Sequence, residues 1–184
     1  ARIIVRIDLK DFFPSITFPR VRGFFEGLGY NPGVATVLSL ICTDAPRVLL
    51  TLGESTSTVS TGPRSLPQGA CTSPDLANLI AAGIDKRVSG LAAATGWTYT
   101  RYADDLVLST SREDASAHRM LRTVNTILTD EGFTVNSDKT RVMRSPNRQA
   151  VTGLIVNNGV SLSRRDLRRI RAFLHQCEVK GLDE

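Results

Sequence analysis

The first residues of the chain form an apolar run that ends on an acid, Ile3-Ile4-Val5-Arg6-Ile7 followed by Asp8. A short continuous apolar run of this kind is typical of a buried strand. A carboxylate at the end of such a strand is costly to bury unless it is compensated. The run therefore predicts a buried strand over 2–8 that places one acid at its end.

Five helices are predicted because apolar residues recur at helical spacing behind a capping residue or a first-turn proline. They begin at Pro19, Pro32, Ser73, Ser111 and Ser163. The second is expected to bury Val34, Val37, Leu38 and Ile41, and the third to continue unbroken from Ser73 to Val88.

Strand candidates lie between these helices, mostly in pairs separated by short turns. The pairs are 47–52 with 56–61 and 97–102 with 106–110, and single strands are predicted at 134–136, 140–144 and 151–157. Helices interspersed with hairpins predict an α+β fold with a largely antiparallel sheet.

The composition is that of one globular domain with a basic excess. The chain has 184 residues, of which 41% are hydrophobic, and its formal net charge is +5. No apolar run approaches the roughly 18 residues of a membrane helix, so no membrane partner is expected. A basic excess favours a nucleic-acid partner.

The cysteines and the ends of the sequence give two further expectations. Cys42, Cys71 and Cys177 form neither a C-x-x-C pattern nor an even set, so no zinc site or disulfide framework is predicted. A cytoplasmic location fits this cysteine usage. Because structure is predicted from Arg2 onward, we expect a fragment of a longer protein.

Adjacent acids, Asp104-Asp105, stand between two predicted strands and lack the glycine that tight hairpin turns favour. Adjacent carboxylates raise each other's pKa unless a cation compensates. If the strand that ends at Asp8 pairs beside this hairpin, three carboxylates converge. Hard oxygen ligands without His or Cys suit Mg²⁺. The three acids alone fit a nuclease, a cyclase or a polymerase.

Five segments, distributed along nearly the whole chain, narrow this choice. In chain order they are Asp8-Leu9-Lys10-Asp11-Phe12-Phe13, residues 66–74 (LPQGACTSP), Tyr102-Ala103-Asp104-Asp105, residues 132–140 (GFTVNSDKT) and residues 151–157 (VTGLIVN). In their content and order they resemble the motifs of reverse transcriptases, above all the retron-type enzymes of bacteria. Group II intron and CRISPR-associated enzymes remain open as subclasses.

The resemblance implies a polymerase palm with a ferredoxin-like core over 1–184, a partial fingers insertion at about 19–65, and N-terminal fingers and a thumb outside this sequence. It implies two Mg²⁺ ions, with Mn²⁺ as a substitute, held by Asp8 and Asp104, with Asp105 completing the acidic cluster. The backbone amides of the nucleotide-binding segment, Leu9, Lys10, Asp11 and Phe12, are expected to contact the triphosphate.

Further roles follow from the same resemblance. Phe13 is the expected steric gate against a 2′-hydroxyl, with Phe12 in the core, and Lys139 is expected near the β- and γ-phosphates. Gln68 is expected beside the nucleotide. The expected primer and template contacts are Gly69, Tyr102, Gly153 and Leu154, and the arginines that follow Ser163 could track duplex phosphates.

The activity implied by the resemblance is RNA-directed DNA synthesis. An RNA template, a DNA or RNA primer and dNTPs would be its partners, with a structured noncoding RNA as a further one and antiviral defence as a context. Two alternatives stay open at this point. One is an inactive nucleic-acid-binding or assembly module of a defence or mobile-element system, and the other is an RNA-directed RNA polymerase.

Overall fold

The computed structural model describes residues 1–53, 55–157 and 159–181. Its elements in chain order are β1 (Ile3–Leu9), α1 (Phe12–Ser15), α2 (Phe18–Gly27), α3 (Pro32–Cys42), β2 (Arg47–Leu52), β3 (Ser55–Ser60), α4 (Ser73–Ile80), α5 (Ala82–Thr95), β4 (Thr98–Tyr102), β5 (Asp105–Thr110), α6 (Ala117–Asp130), β6 (Val135–Arg144), β7 (Ala150–Val151), β8 (Leu154–Ile155) and α7 (Arg164–Lys180). The predicted connection residue Glu54 and the last residues, 182–184, lie outside the described ones.

The central sheet has four strands in the order β4-β5-β1-β6, and every neighbouring pair is antiparallel. The connection from β1 to the β4–β5 hairpin contains helices α1–α5 and the β2–β3 hairpin, with α5 packed against β4, and α6 joins the β4–β5 hairpin to β6. This succession of elements is the ferredoxin-like arrangement. The predicted α+β class with an antiparallel sheet is therefore confirmed.

The two faces of this sheet differ in chemistry because side chains alternate along each strand. Val5, Ile7, Leu106 and Leu108 are at most 1% exposed and belong to the core, together with apolar residues of α5 and α6. Residues of the alternate set, such as Arg6 and Asp8, lie on the opposite face. That face carries the acids, and we call it the open face.

Helix α3 buries a different face from the one predicted. Ala35 and Ser39 are its buried residues, whereas Val34, Val37 and Ile41 are exposed, Ile41 by 76%. The helix contacts α2, and small residues allow two helices to approach closely. Its larger apolar residues consequently face outward, and the prediction from apolar spacing was wrong for this helix.

Two other helix predictions also differ from the structure. The helix predicted from Ser73 to Val88 is interrupted at Ala81, which ends α4 and precedes α5. The helix predicted from Ser111 begins at Ala117, because the Ser116 side chain accepts a hydrogen bond from the Arg119 amide and so caps it.

The strands after α6 also differ in extent from the prediction. The two strands predicted at 134–136 and 140–144 form one strand, β6, whose pairing with β1 is irregular between Arg6 and Asp8. The strand predicted at 151–157 is a short hairpin, β7–β8. Its two-residue turn has positive φ at Thr152 and Gly153, +47° and +84°, as tight hairpin turns require.

The segment predicted as fingers leaves and rejoins the rest of the chain at one place. Ser65 forms isolated bridges with both Thr17 and Asp44, and the Phe18 amide donates to the Arg64 carbonyl at 2.9 Å. Helices α2 and α3 and the β2–β3 hairpin lie between these contacts. The assignment of 19–65 to the fingers stays a prediction.

Leu108→Ala should lower the free energy of unfolding by about 2–5 kcal/mol, because it leaves a cavity in the centre of the core. Urea denaturation would measure the loss. Leu49→Ala, an exposed leucine on the outer hairpin, is the matched control and should cost much less. Equal losses for the two variants would contradict this description of the core.

Candidate active site

Two of the predicted acids lie directly opposite each other in the sheet. In the antiparallel pairing of β1 with β5, Asp8 faces Asp105. Directly opposed residues of antiparallel strands have their side chains on the same face, with Cβ atoms about 5 Å apart. Both residues are buried, Asp8 to 6% and Asp105 to 8% exposure. The predicted convergence of these two acids is therefore present.

The third acid, Asp104, lies in the turn between β4 and β5. The residue before it, Ala103, has a φ of +52°, which is rare for a residue with a side chain. The Leu9 amide donates to the Asp104 carbonyl at 2.9 Å, so the turn is held against the end of β1. All three acids consequently lie at one edge of the sheet.

Two cations already contact these acids. Arg6 Nε donates to Asp105 Oδ1 at 2.6 Å, and Lys139 Nζ lies 3.4 Å from Asp8 Oδ1. The hydrogen bond that Arg6 donates to Asp105 raises the pKa of Arg6, with a smaller contribution from the charges of the other two acids. Among the described residues, no three His, Cys, Asp or Glu side chains gather closely enough to hold a metal ion by themselves.

Arg6 was not predicted as a site residue, although the sequence carries the signal. It lies two positions before Asp8 in one strand, so strand alternation places both side chains on one face. In the structure, Arg6 pairs with Asp105. The other two acids of the site, Asp8 and Asp104, have no arginine partner in the described part of the chain. The metal-binding roles of all three acids stay predictions.

The loop after Asp8 corrects part of the predicted nucleotide contacts. The Leu9 amide is used by Asp104, and the Lys10 amide donates to the Thr134 carbonyl at 2.8 Å. These two amides are therefore not available to a triphosphate. Asp11 adopts a left-handed conformation with φ +48° and begins α1. The amides of Asp11, Phe12 and Phe13 donate to no acceptor in the described part of the chain.

The two phenylalanines of this segment have different environments. Phe12 is buried in the core, where its ring centroid lies 5.6 Å from that of Phe133. Phe13 is half-buried and packs edge-on against Phe12 at 5.4 Å. The prediction that Phe12 is the core residue of the pair is confirmed, and the gate role of Phe13 stays a prediction.

The Gln68-Gly69 segment is exposed, and α4 begins after three further residues. Gly69 has a φ of +92°, which a side chain rarely permits. Ser73 was predicted as the helix cap, but Thr72 precedes the helix, and the Ser73 hydroxyl instead donates to the Pro67 carbonyl at 2.7 Å. This bond ties the exposed segment to the first turn of α4.

The remaining predicted contacts lie at separate places. Tyr102 is 76% exposed and directly opposite Asp105, so it lies on the open face. Gly153 lies in the β7–β8 turn and Leu154 begins β8. The structure does not test their contacts with primer or template, which stay predictions.

Comparison with known proteins decides the family. The sequence model of the family described as "Reverse transcriptase (RNA-dependent DNA polymerase)" matches residues 1–168. The chain belongs to the reverse transcriptase family.

Its relatives include retron enzymes, as the resemblance predicted. The chain is 46% identical over 176 residues to the retron Mx65 reverse transcriptase of Myxococcus xanthus, covering 95% of this chain and 41% of that protein. It is 42% identical over 190 residues to the retron Mx162 reverse transcriptase of the same organism, covering 95% and 39%. This reverse transcriptase sequence thus spans about two fifths of the length of these relatives.

A solved structure shares the fold. The foamy viral protease-reverse transcriptase in complex with RNA/DNA hybrid superposes with a TM-score of 0.56 and 21% identity, over 92% of this chain and 18% of that chain. This likeness supports the polymerase fold alone. Within the described residues of this family member, no helix is long and apolar enough to cross a membrane.

A partly buried polar cluster lies behind the Asp104 turn of this reverse transcriptase palm. Arg101 forms two hydrogen bonds with Asp85 of α5, at 2.8 and 2.6 Å, and the Tyr99 hydroxyl donates to the same carboxylate at 2.8 Å. Burial alone would raise the pKa of Asp85, but the bonds from Arg101 and Tyr99 outweigh it and lower that pKa. Burial and the bond to Asp85 raise the pKa of Tyr99.

Stability should therefore fall in acid partly because of Asp85. Its pKa is lower in the folded chain than the roughly 3.9 of an unfolded aspartate. The contribution of Asp85 to the free energy of unfolding is thus fully present above about pH 5 and is lost as the pH falls through the lowered folded-state pKa. Urea midpoints measured between pH 6 and pH 3 should converge for wild type and Asp85→Asn as the pH falls. A constant difference across this range would contradict the assignment.

Proposed function

We propose that this chain carries the polymerase centre of a retron-type, RNA-directed DNA polymerase. The reaction joins the primer 3′-oxygen to the α-phosphorus of a dNTP. The bond between the α-phosphorus and the bridging oxygen breaks, and pyrophosphate leaves. The observation that carries the proposal is the strand register, which sets Asp8 opposite Asp105. In the same register, the Leu9 amide donates a hydrogen bond to the Asp104 carbonyl.

The donor set fits a divalent cation such as Mg²⁺. Mg²⁺ is commonly held by one or two carboxylates together with substrate phosphates and water. Asp8 and Asp104 would supply these carboxylates, while Asp105 is bonded to Arg6. When bound, such ions lower the pKa of the attacking hydroxyl and offset the charge on the triphosphate.

The residues around the acids would position the nucleotide. Helix α1 begins beside Asp8, and the free amides at Asp11, Phe12 and Phe13 are donors suited to phosphate oxygens. The Lys139 ammonium is 65% exposed and lies beside Asp8, so it can turn toward the β- and γ-phosphates. Phe13 would pack under the sugar, and Gln68 would contact the base pair.

The partners follow from the same proposal. Relatives named as retron reverse transcriptases favour an RNA template, a DNA or RNA primer, dNTPs and a structured noncoding RNA as partners of the whole protein. The exposed arginines of α7, with the overall charge of +5, suit a phosphate backbone. A cytoplasmic location and a role in antiviral defence belong to this proposal too.

The test is primer extension by the full-length protein on an RNA template with Mg²⁺ and dNTPs. Asp104→Asn and Asp8→Asn should each lower extension about 100-fold or more, because a metal-assisted step loses several kcal/mol of charge stabilisation. Asp130→Asn, at the far end of α6, is the matched control and should extend normally.

Two outcomes would overturn the proposal. Wild-type rates in the Asp8 and Asp104 variants would mean that these acids are not the catalytic ones. A folded wild type that binds hybrid but never extends it would favour the binding-module alternative.

Phe13→Ala should raise incorporation of rNTPs relative to dNTPs by about tenfold or more, because it removes the bulk expected to clash with a 2′-hydroxyl. Competing dNTP and rNTP in the extension assay gives the ratio. Phe13→Tyr keeps the ring and should preserve the preference for dNTPs. An unchanged ratio in Phe13→Ala would remove the gate assignment, and a wild-type preference for rNTPs would favour an RNA polymerase.

A further inference from the structure

Arg101 lies three residues before Asp104 but on the opposite face of the sheet. Its partner in β5 is Leu106, a core residue. The side chain is only 7% exposed, so it has no route to a substrate on the open face. Any effect of Arg101 on the three acids must therefore be indirect and act through the residues that it contacts.

The guanidinium of Arg101 joins three separate parts of the chain. Nε and Nη2 donate to the two carboxylate oxygens of Asp85 in α5. Nη1 donates to Asn78 Oδ1 in α4 at 3.0 Å and to the Ala103 carbonyl at 3.0 Å. The planar fork of arginine suits this use, because a lysine ammonium cannot reproduce its fixed directions.

The bond to Ala103 fixes the backbone that leads into Asp104. A peptide unit is planar, so holding the Ala103 carbonyl oxygen also holds the Asp104 nitrogen. On the other side, the Asp104 carbonyl accepts the Leu9 amide. Both peptide units that flank Asp104 are thus held, one by Arg101 from the core face and one by β1.

The positive φ of Ala103 makes this restraint necessary. A left-handed conformation is unfavourable for a residue with a Cβ, so the turn on its own favours other conformations. Strained backbone persists where the surrounding structure over-determines it. The strained residue itself accepts the hydrogen bond from Arg101, at the Ala103 carbonyl oxygen.

We propose that Arg101 is a positioning residue that directs the Asp104 carboxylate through the Ala103–Asp104 peptide, with Asp85 and Asn78 holding its guanidinium. The proposal rests on the proposed polymerase function for its effect on catalysis. Asn78 lies in α4, the helix that follows the Gln68-Gly69 segment. The Arg101 side chain therefore also connects α4 to the β4–β5 turn that carries Asp104.

Arg101→Lys in the full-length protein is the direct test. It keeps the positive charge beside Asp85 but loses the fork that also reaches Ala103. We expect kcat for primer extension to fall about 10- to 100-fold, as a small misplacement of a reacting group does. The KM for dNTP and the Kd for the RNA–DNA hybrid should stay within about twofold of wild type, because Arg101 contacts neither.

The matched control is Arg112→Lys. Arg112 makes the same paired bonds with Asp114, at 2.9 and 2.7 Å, on the surface away from the turn. It should leave kcat unchanged. Asn78→Ala is a milder second variant, since it removes one acceptor of the guanidinium and keeps the pair with Asp85, and it should lower kcat by a smaller factor.

Mn²⁺ binding, followed by electron paramagnetic resonance, gives a readout that does not need polymerisation. Arg101→Lys should weaken Mn²⁺ binding while Arg112→Lys does not. A lower Tm with wild-type kcat and wild-type Mn²⁺ affinity would overturn the positioning role. Weakened Mn²⁺ binding in a protein whose wild type extends no primer would support that role and overturn the proposed function.

Discussion

The antiparallel pairing of β1 with β5 is the constraint on which the rest of the site depends. It brings a strand end and a turn that are almost a hundred residues apart in sequence to one edge of the sheet. A register slip by one residue would send Asp8 to the core face and an apolar neighbour to the open face. The buried row of Val5, Ile7, Leu106 and Leu108 prevents that slip, because moving it would expose the centre of the core.

Charge compensation is the second requirement of this arrangement. Three carboxylates at one edge repel one another, and two of them are buried. Arg6 and Lys139 offset part of this repulsion from the open face. They differ in how firmly they are held. Arg6 forms a short hydrogen bond with Asp105 in its own sheet, whereas Lys139 is largely exposed and can move away from Asp8 when another charged group binds there.

The sequence allowed the sheet and the acids to be predicted because both depend on local signals. Apolar runs predicted β1 and the β4–β5 hairpin, and the adjacent acids marked the turn. Predictions failed where the deciding contact lies elsewhere in the chain. The packing of α3 through Ala35 and Ser39 depends on α2, and the interruption at Ala81 has no proline to announce it. The Arg101 cluster joins three elements, so no local pattern could reveal it.

The strained alanine in the β4–β5 turn has a thermodynamic consequence. Glycine at position 103 would adopt the same backbone angles with little steric cost. It would also give the turn access to many more conformations, both before and after folding. Alanine lowers the conformational entropy of the turn in every state of the chain, but in the folded state it carries a steric cost that glycine would avoid. Alanine at position 103 therefore lowers the free energy of unfolding somewhat, but it restricts the range of directions that the Asp104 side chain can take.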